Sequence, residues 1–235
     1  QAPIKEIFVP TGFDENDAPE FIVEGVFPNE CYELKGYRLI RHEIKDPGLE
    51  KIWFTFWVEA YETLPSDCAE EKREKKDIPY IEVIYLPQLK ANKHPYEIWS
   101  AQNRETPAGL LSIEKAPASE TDSFSYAQVK KARLEKDSLK EGDFLLTLEG
   151  KFPSNCYDID LEQTKFINKT TRIIEVLPVI KKFRDDSSCE DNKPVEFGRI
   201  LPVSTKLKEK AYLFHIRIAE GRALNLRVDM RDLTK

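Results

Sequence analysis

The sequence predicts an all-β protein built from two tandem immunoglobulin-like β-sandwich domains, each tied by one internal disulfide. Three observations predict it. A cysteine-bearing segment occurs twice at a fixed offset, apolar residues alternate with a period of two, and each half carries two cysteines at matching landmarks. A chain of 235 residues is long enough for two such domains with a core in each.

The repeat comes first, because it sets the domain count. Glu24-Gly25-Val26-Phe27-Pro28-Asn29-Glu30-Cys31-Tyr32 returns as Glu149-Gly150-Lys151-Phe152-Pro153-Ser154-Asn155-Cys156-Tyr157, with six of nine positions identical. The same offset of 125 runs back to Ile4 and Val129. Downstream, Cys68 matches Cys189, Leu86-Pro87 matches Leu201-Pro202, Tyr96 matches Tyr212, and Leu111 to Glu114 matches Leu226 to Asp229. The predicted domains are residues 1–116 and 124–235. Residues 117–123, small, polar and proline-bearing, form the linker.

Each half then holds one cysteine pair, 37 residues apart in the first and 33 in the second. Four cysteines allow three connectivities. Only Cys31–Cys68 with Cys156–Cys189 is both repeat-symmetric and confined within a domain. Cys68 and Cys189 are flanked by charged residues, so the bridges are expected to tie a loop to an early strand rather than to pin two sheets. No CxxC is present, which argues against zinc.

Strand by strand, Tyr37–Ile44 and Ile52–Tyr61 read as a hairpin around Asp46-Pro47-Gly48. Lys165–Ile167 and Arg172–Ile180 repeat that hairpin in the second half. Tyr80–Leu86 and Val195–Leu201 are further strands, and Tyr212–Ala219 with Ala223–Met230 make a closing hairpin. Ala127–Lys140 has the composition of a charged helix, but its repeat partner reads as a strand, so Val129–Leu134 is predicted as β. About seven strands in roughly 110 residues fit the sandwich. The second half has no tryptophan, so the antibody-type Cys…Trp…Cys core is excluded there.

The function classes narrow by exclusion. A net charge of −6, with lysines interleaved among acids, leaves no basic stripe for nucleic acid. No apolar run approaches the roughly 20 residues of a membrane helix. No nucleotide-binding, serine-hydrolase or zinc-protease motif is present, and His42, His94 and His215 lie at non-equivalent places without partners at catalytic spacing. The chain is therefore expected to be non-catalytic and to need no cofactor. It begins Gln1-Ala2-Pro3 without a methionine, which fits a processed N-terminus. With the disulfides, that points to a secreted, periplasmic or cell-surface location.

Two features are candidates for binding. On Ile52–Tyr61, alternation puts Trp53, Trp57 and Tyr61 on one face, opposite the apolar face of Ile52, Phe54, Phe56 and Val58. Such an aromatic stripe suits a protein contact or, alternatively, stacking against sugar rings. The aligned residues of the second half are read as Ile174, Val176, Pro178 and Ile180, which carry no aromatic platform. The acidic turn Asp14, Asn16, Asp17, with Glu20 nearby, offers oxygen ligands of the kind Ca²⁺ takes, without the EF-hand pattern. Asn168-Lys169-Thr170 is a formal glycosylation sequon.

Val9-Pro10-Thr11-Gly12-Phe13-Asp14, followed by Phe27-Pro28-Asn29-Glu30-Cys31-Tyr32 and the later cysteine, resembles uncharacterised exported bacterial proteins with tandem disulfide-tied β-sandwich repeats. The resemblance covers the first half. In the second it rests on the cysteine motif alone, since Leu134-Glu135-Lys136-Asp137-Ser138-Leu139 replaces the first segment. It implies export and fold, and no activity. The expected function is protein–protein interaction or adhesion.

Overall fold

A computed structural model describes residues 1–46, 49–64, 66–98, 108–116, 126–140, 142–183, 189, 193–203, 205–219 and 221–234. The chain is all-β and divides into two compact units, Gln1–Lys115 and Ala116–Lys235. Residues 117–123, read from sequence as the linker, lie outside the described residues.

The first unit runs β1 (Ile4–Phe8), β2 (Phe13–Asp14), β3 (Glu20–Phe27), β4 (Tyr32–Asp46), β5 (Leu49–Glu62), a helical turn α1 (Glu70–Arg73), β6 (Ile78–Tyr85), β7 (Asn92–Ile98) and β8 (Ala108–Glu114). One sheet has the order β1-β3-β6 and the other β2-β8-β7-β5-β4. Their inner faces share a core: Phe21 of β3 stacks on Phe56 of β5 at 4.9 Å, among Val23, Phe54, Val58, Ile84, Ile98 and Leu111.

The second unit runs β9 (Gln128–Lys136), β10 (Phe144–Phe152), β11 (Tyr157–Ile159), β12 (Lys165–Asn168), β13 (Ile173–Leu177), β14 (Ile180–Lys182), β15 (Val195–Pro202), β16 (Ala211–Ile218) and β17 (Arg222–Asp229), then a 3₁₀ turn. Its sheets are β15-β10-β9, β11-β14 and β12-β13-β16-β17. Segment 127–140 contains the strand β9, as the repeat requires: Leu134 and Ala132 alternate toward the core, and a bulge beyond Lys131 brings Val129 onto the same face. The predicted strand Arg172–Ile180 is cut at Pro178, which has no N–H to give a ladder.

The sheets are several small ones, and the strand order departs from the immunoglobulin expectation. There the third strand lies against the sixth, antiparallel. Here β5, the strand that follows the hairpin turn, sits between β4 and β7 and pairs with β7 in parallel. The second unit repeats this with β13 parallel to β16. Counting strands and turns gives hairpins; it does not give which distant strand becomes a neighbour.

Both disulfides join the predicted partners, Cys31–Cys68 and Cys156–Cys189, with Cα separations of 5.9 and 5.5 Å. Each ties the turn before β4 or β11 to the loop leading into β6 or β15. The shared Phe-Pro-x-x-Cys-Tyr segment explains itself at this turn. The side chains of Asn29 and Ser154 accept the backbone N–H of Cys31 and Cys156, at 2.9 and 3.3 Å. The carbonyl of each cysteine accepts an N–H from the returning strand end, Thr63 or Phe183, both at 2.8 Å.

In the second unit β11 is pinned to β15 by a two-pronged ion pair. Arg199 Nε and its terminal nitrogen donate to the two Asp158 oxygens at 2.7 and 2.9 Å. These hydrogen bonds hold the Asp158 carboxyl below its usual pKa, against the opposing effect of burial. A lowered carboxylate pKa gives stability that is full above the unfolded value of about 3.9 and fades as pH falls through the folded value. Both side chains are about two-fifths exposed, which keeps the expected contribution below about 1 kcal/mol. Asp158→Asn is expected to lower urea stability slightly at pH 7 and to flatten the acid limb of the stability curve below about pH 4. An unchanged acid limb would refute this assignment.

Candidate functional site

β5 is rich in aromatic and β-branched residues and has no glycine or proline, the composition of a long regular strand. Ile52, Phe54, Phe56 and Val58 are buried in the core. The intervening residues face outward. Trp53 and Trp57 are half-buried and Tyr61 is exposed, while Thr55 between them is buried.

The neighbouring strands extend this outer face. Across the hairpin, His42 stands opposite Trp53, Ile40 opposite Thr55, Arg38 opposite Trp57 and Glu33 opposite Tyr61. The His42 ring stacks on Trp53 at 4.8 Å and 10°, and its Nε2 lies 3.0 Å from Thr55 Oγ1. Arg38 pairs with Glu59 at 2.6 Å beside Trp57. Tyr61 donates its hydroxyl to Glu33, and that bond, with the nearby negative charge, pushes the phenol pKa up. On the far side, the β5–β7–β8 ladders bring Leu110 onto the same face. Ile40, Ile44 and Leu110 are 40%, 39% and 60% exposed, so this outer face is apolar as well as aromatic.

The second unit is built differently at the same place. Its matching outward residues are Ile173, Glu175 and Leu177; the Ile174 and Val176 read from sequence point into the core. The sequence reading also missed a polar cluster there. Arg172, Glu175, His215 and Arg217 are all buried, with Lys169 on Glu175 at 2.8 Å and Asn225 Oδ1 3.0 Å from His215 Nδ1. Polar residues alternating with apolar ones look solvent-facing in a sequence, so only their number in one patch could have flagged it.

The acidic turn uses its carboxylates on its own backbone. Asp17 accepts the Asp14 N–H and Asp14 accepts the Asn16 N–H, both at 2.7 Å. Glu15 fastens the turn to the segment before β7 through Gln88 and Ala91. Among the described residues, no group of three or more His, Cys, Asp or Glu is arranged to hold a metal ion. In the sequon, the Thr170 hydroxyl caps the turn by accepting the N–H groups of Arg172 and Ile173.

The three histidines stay apart in their contacts. His42 is on the outer face, His215 is in the buried cluster, and His94 lies in the first core with Nε2 2.9 Å from the Lys90 carbonyl. Among the described residues no helix is long and apolar enough to cross a membrane. Comparison with protein-family models, with curated proteins and with solved structures finds no match to this chain.

Proposed function

We propose that the chain is a non-catalytic, extracytoplasmic binding protein of two sandwich-like repeats, whose first unit contacts a protein partner through the outer face of its five-stranded sheet. One observation carries this reading: Trp53 and Trp57 stand half-open among exposed Ile40, Ile44, Leu110 and Tyr61. Rings of this kind, flanked by aliphatic residues and rimmed by charge, are the usual anchors of protein contacts. The two disulfides fit an oxidising compartment. The second unit, lacking the aromatic face, serves as support or spacer.

A sugar-binding reading keeps one specific support. Trp57 lies beside the Arg38–Glu59 pair, so a ring platform adjoins hydrogen-bonding groups. Trp57→Ala separates the readings. The variant, its fold checked by circular dichroism, is compared with wild type on a glycan array and in affinity capture from extracytoplasmic extract. Leu161→Ala, at an exposed residue of the second unit, is the control. The expected result is a protein retained by wild type and control and lost with Trp57→Ala, by about tenfold or more in affinity. Loss of a glycan signal instead would select the sugar reading. An unchanged protein set with no glycan signal would sink both.

A further inference from the structure

We propose that two copies of this chain pair edge to edge through β4, antiparallel, with the two-fold axis passing at His42. This goes beyond the binding face proposed above: it uses the strand edge rather than the sheet face, and shares with that face only Ile40 and Ile44.

β4 ends its sheet: among the described strands its backbone ladder is with β5 alone, and β6 reaches it at Tyr37, whose hydroxyl accepts the Tyr85 N–H at 3.2 Å. It is 15 residues long, against about 5–6 for an ordinary strand. Its partner β5 pairs with β7 only over Phe54–Phe56, so the hairpin runs well past the rest of the sheet. Natural edges are usually shortened, bulged, broken by proline or lined with charge, and of these β4 relies on charge, with Arg38, Arg41, Glu43, Lys45 and Asp46. The bulge in β4 lies at Leu34–Gly36, and beyond it 37–46 is regular and free of glycine and proline. The second unit shows the usual solution: its matching edge, β12, has four residues.

The register that joins the whole of 38–46 sets these charges against opposite ones, Arg38 facing Asp46, and leaves one mismatch, Leu39 facing Lys45. With the axis at His42, Ile40 faces Ile44 of the second copy and Arg41 faces its Glu43, and by symmetry both pairs occur twice. Directly opposed apolar or oppositely charged residues stabilise an antiparallel pair, and like charges destabilise it. The neighbouring registers fail on this rule. An axis at Arg41 sets arginine against arginine, and an axis at Glu43 sets glutamate against glutamate. An axis at Ile40 puts Leu39 opposite Arg41, and Arg38 opposite His42. A register that keeps the faces must move by whole residues at the axis; an axis at Ile44 also sets Glu43 against Lys45, but it joins only 42–46 before the hairpin turns. The chosen register also accounts for the exposure of Ile40 and Ile44, which share the outer face with Trp53 and Trp57. Pairing covers both isoleucines and joins the two aromatic faces into one surface.

The test is sedimentation equilibrium of the whole chain over a range of concentrations, with charge variants and engineered cysteines. Wild type is expected to show reversible monomer–dimer exchange. Arg41→Glu should weaken the dimer about tenfold, and the double variant Arg41→Glu with Glu43→Arg should restore it. With oxidised glutathione, His42→Cys should give a disulfide-linked dimer, since position 42 faces itself. Ile40→Cys should not, because it faces 44. Trp57→Ala should leave sedimentation unchanged, so failure here and failure of the proposed binding face are separate results. A wild-type monomer at every concentration would overturn the proposal. So would a dimer indifferent to Arg41→Glu, or Ile40→Cys linking as readily as His42→Cys.

Discussion

Replacing Cys31 and Cys68 together by serine is expected to lower the stability of the first unit by about 3–4 kcal/mol, while the second unit keeps its own transition. The magnitude follows from the closed loop, whose cysteines are 37 residues apart. Opening it returns to the unfolded chain the freedom that the bridge removes. The structure offers little to offset that loss. The loop between β5 and β6 contains only the one-turn helix α1, which buries none of its side chains. It is otherwise fastened by a few backbone bonds, from Glu30 to the Lys72 carbonyl at 3.1 Å and from Lys76 to the Pro28 carbonyl at 2.9 Å, and by the exposed Lys76–Glu30 ion pair. Against a total of about 5–15 kcal/mol for a domain, the loss is large. Urea unfolding followed by tryptophan emission reads the first unit selectively, since Trp53, Trp57 and Trp99 all belong to it. The matching pair Cys156–Cys189, 33 residues apart, should give a similar loss seen by circular dichroism but not by tryptophan. A double serine variant whose midpoint does not move would show that the bridge only decorates a loop already held by the core.

What the sequence made legible depended on whether a feature is local, repeated or neither. The cysteine pairing was readable because the repeat removed the other connectivities. The outward placement of Trp53, Thr55 and Trp57 was readable because a strand alternates whatever its neighbours do. The neighbour order was not readable: nothing local to β5 says that it will lie parallel to β7. The later repeat landmarks show the same limit more finely. The ladders equate Leu201 with Ile84, Phe214 with Tyr96 and Val228 with Leu111. The sequence reading placed each match two residues away. A slip of two keeps every side chain on its own face, so alternation cannot detect it. The buried polar cluster of the second unit was hidden for a related reason, since alternation names a face without saying whether that face is wet.

The repeated glycine yields the other large expected effect. Gly25 and Gly150 are identical in the two copies, and neither lies in a left-handed conformation. Their reason is close approach. A Cβ on Gly150 would lie 2.1 Å from the Gln128 carbonyl oxygen, and one on Gly25 would lie 2.1 Å from the Pro3 oxygen and 2.2 Å from the Tyr80 ring. In each unit an aromatic residue of the third strand of that sheet stands opposite the glycine, Tyr80 in one and Phe197 in the other. Phe27 stacks on Tyr80 at 4.6 Å and Phe152 on Phe197 at 4.1 Å; in the first unit the vacant side-chain position seats the Tyr80 ring of that pair, and in the second it admits the backbone of Gln128 and Val129. Gly150→Ala meets backbone, which a rotamer change cannot relieve, and it is expected to destabilise the second unit by about 3 kcal/mol. Gly25→Ala should also displace the Tyr80 ring and with it the 2.6 Å hydrogen bond from its hydroxyl to the Pro3 carbonyl. Gly198→Ala is the control, because a Cβ there meets nothing within 4 Å. It should change stability by less than about 0.5 kcal/mol. Chemical denaturation of the three variants decides the matter. If Gly150→Ala proves as mild as Gly198→Ala, close backbone approach is not why the glycine recurs.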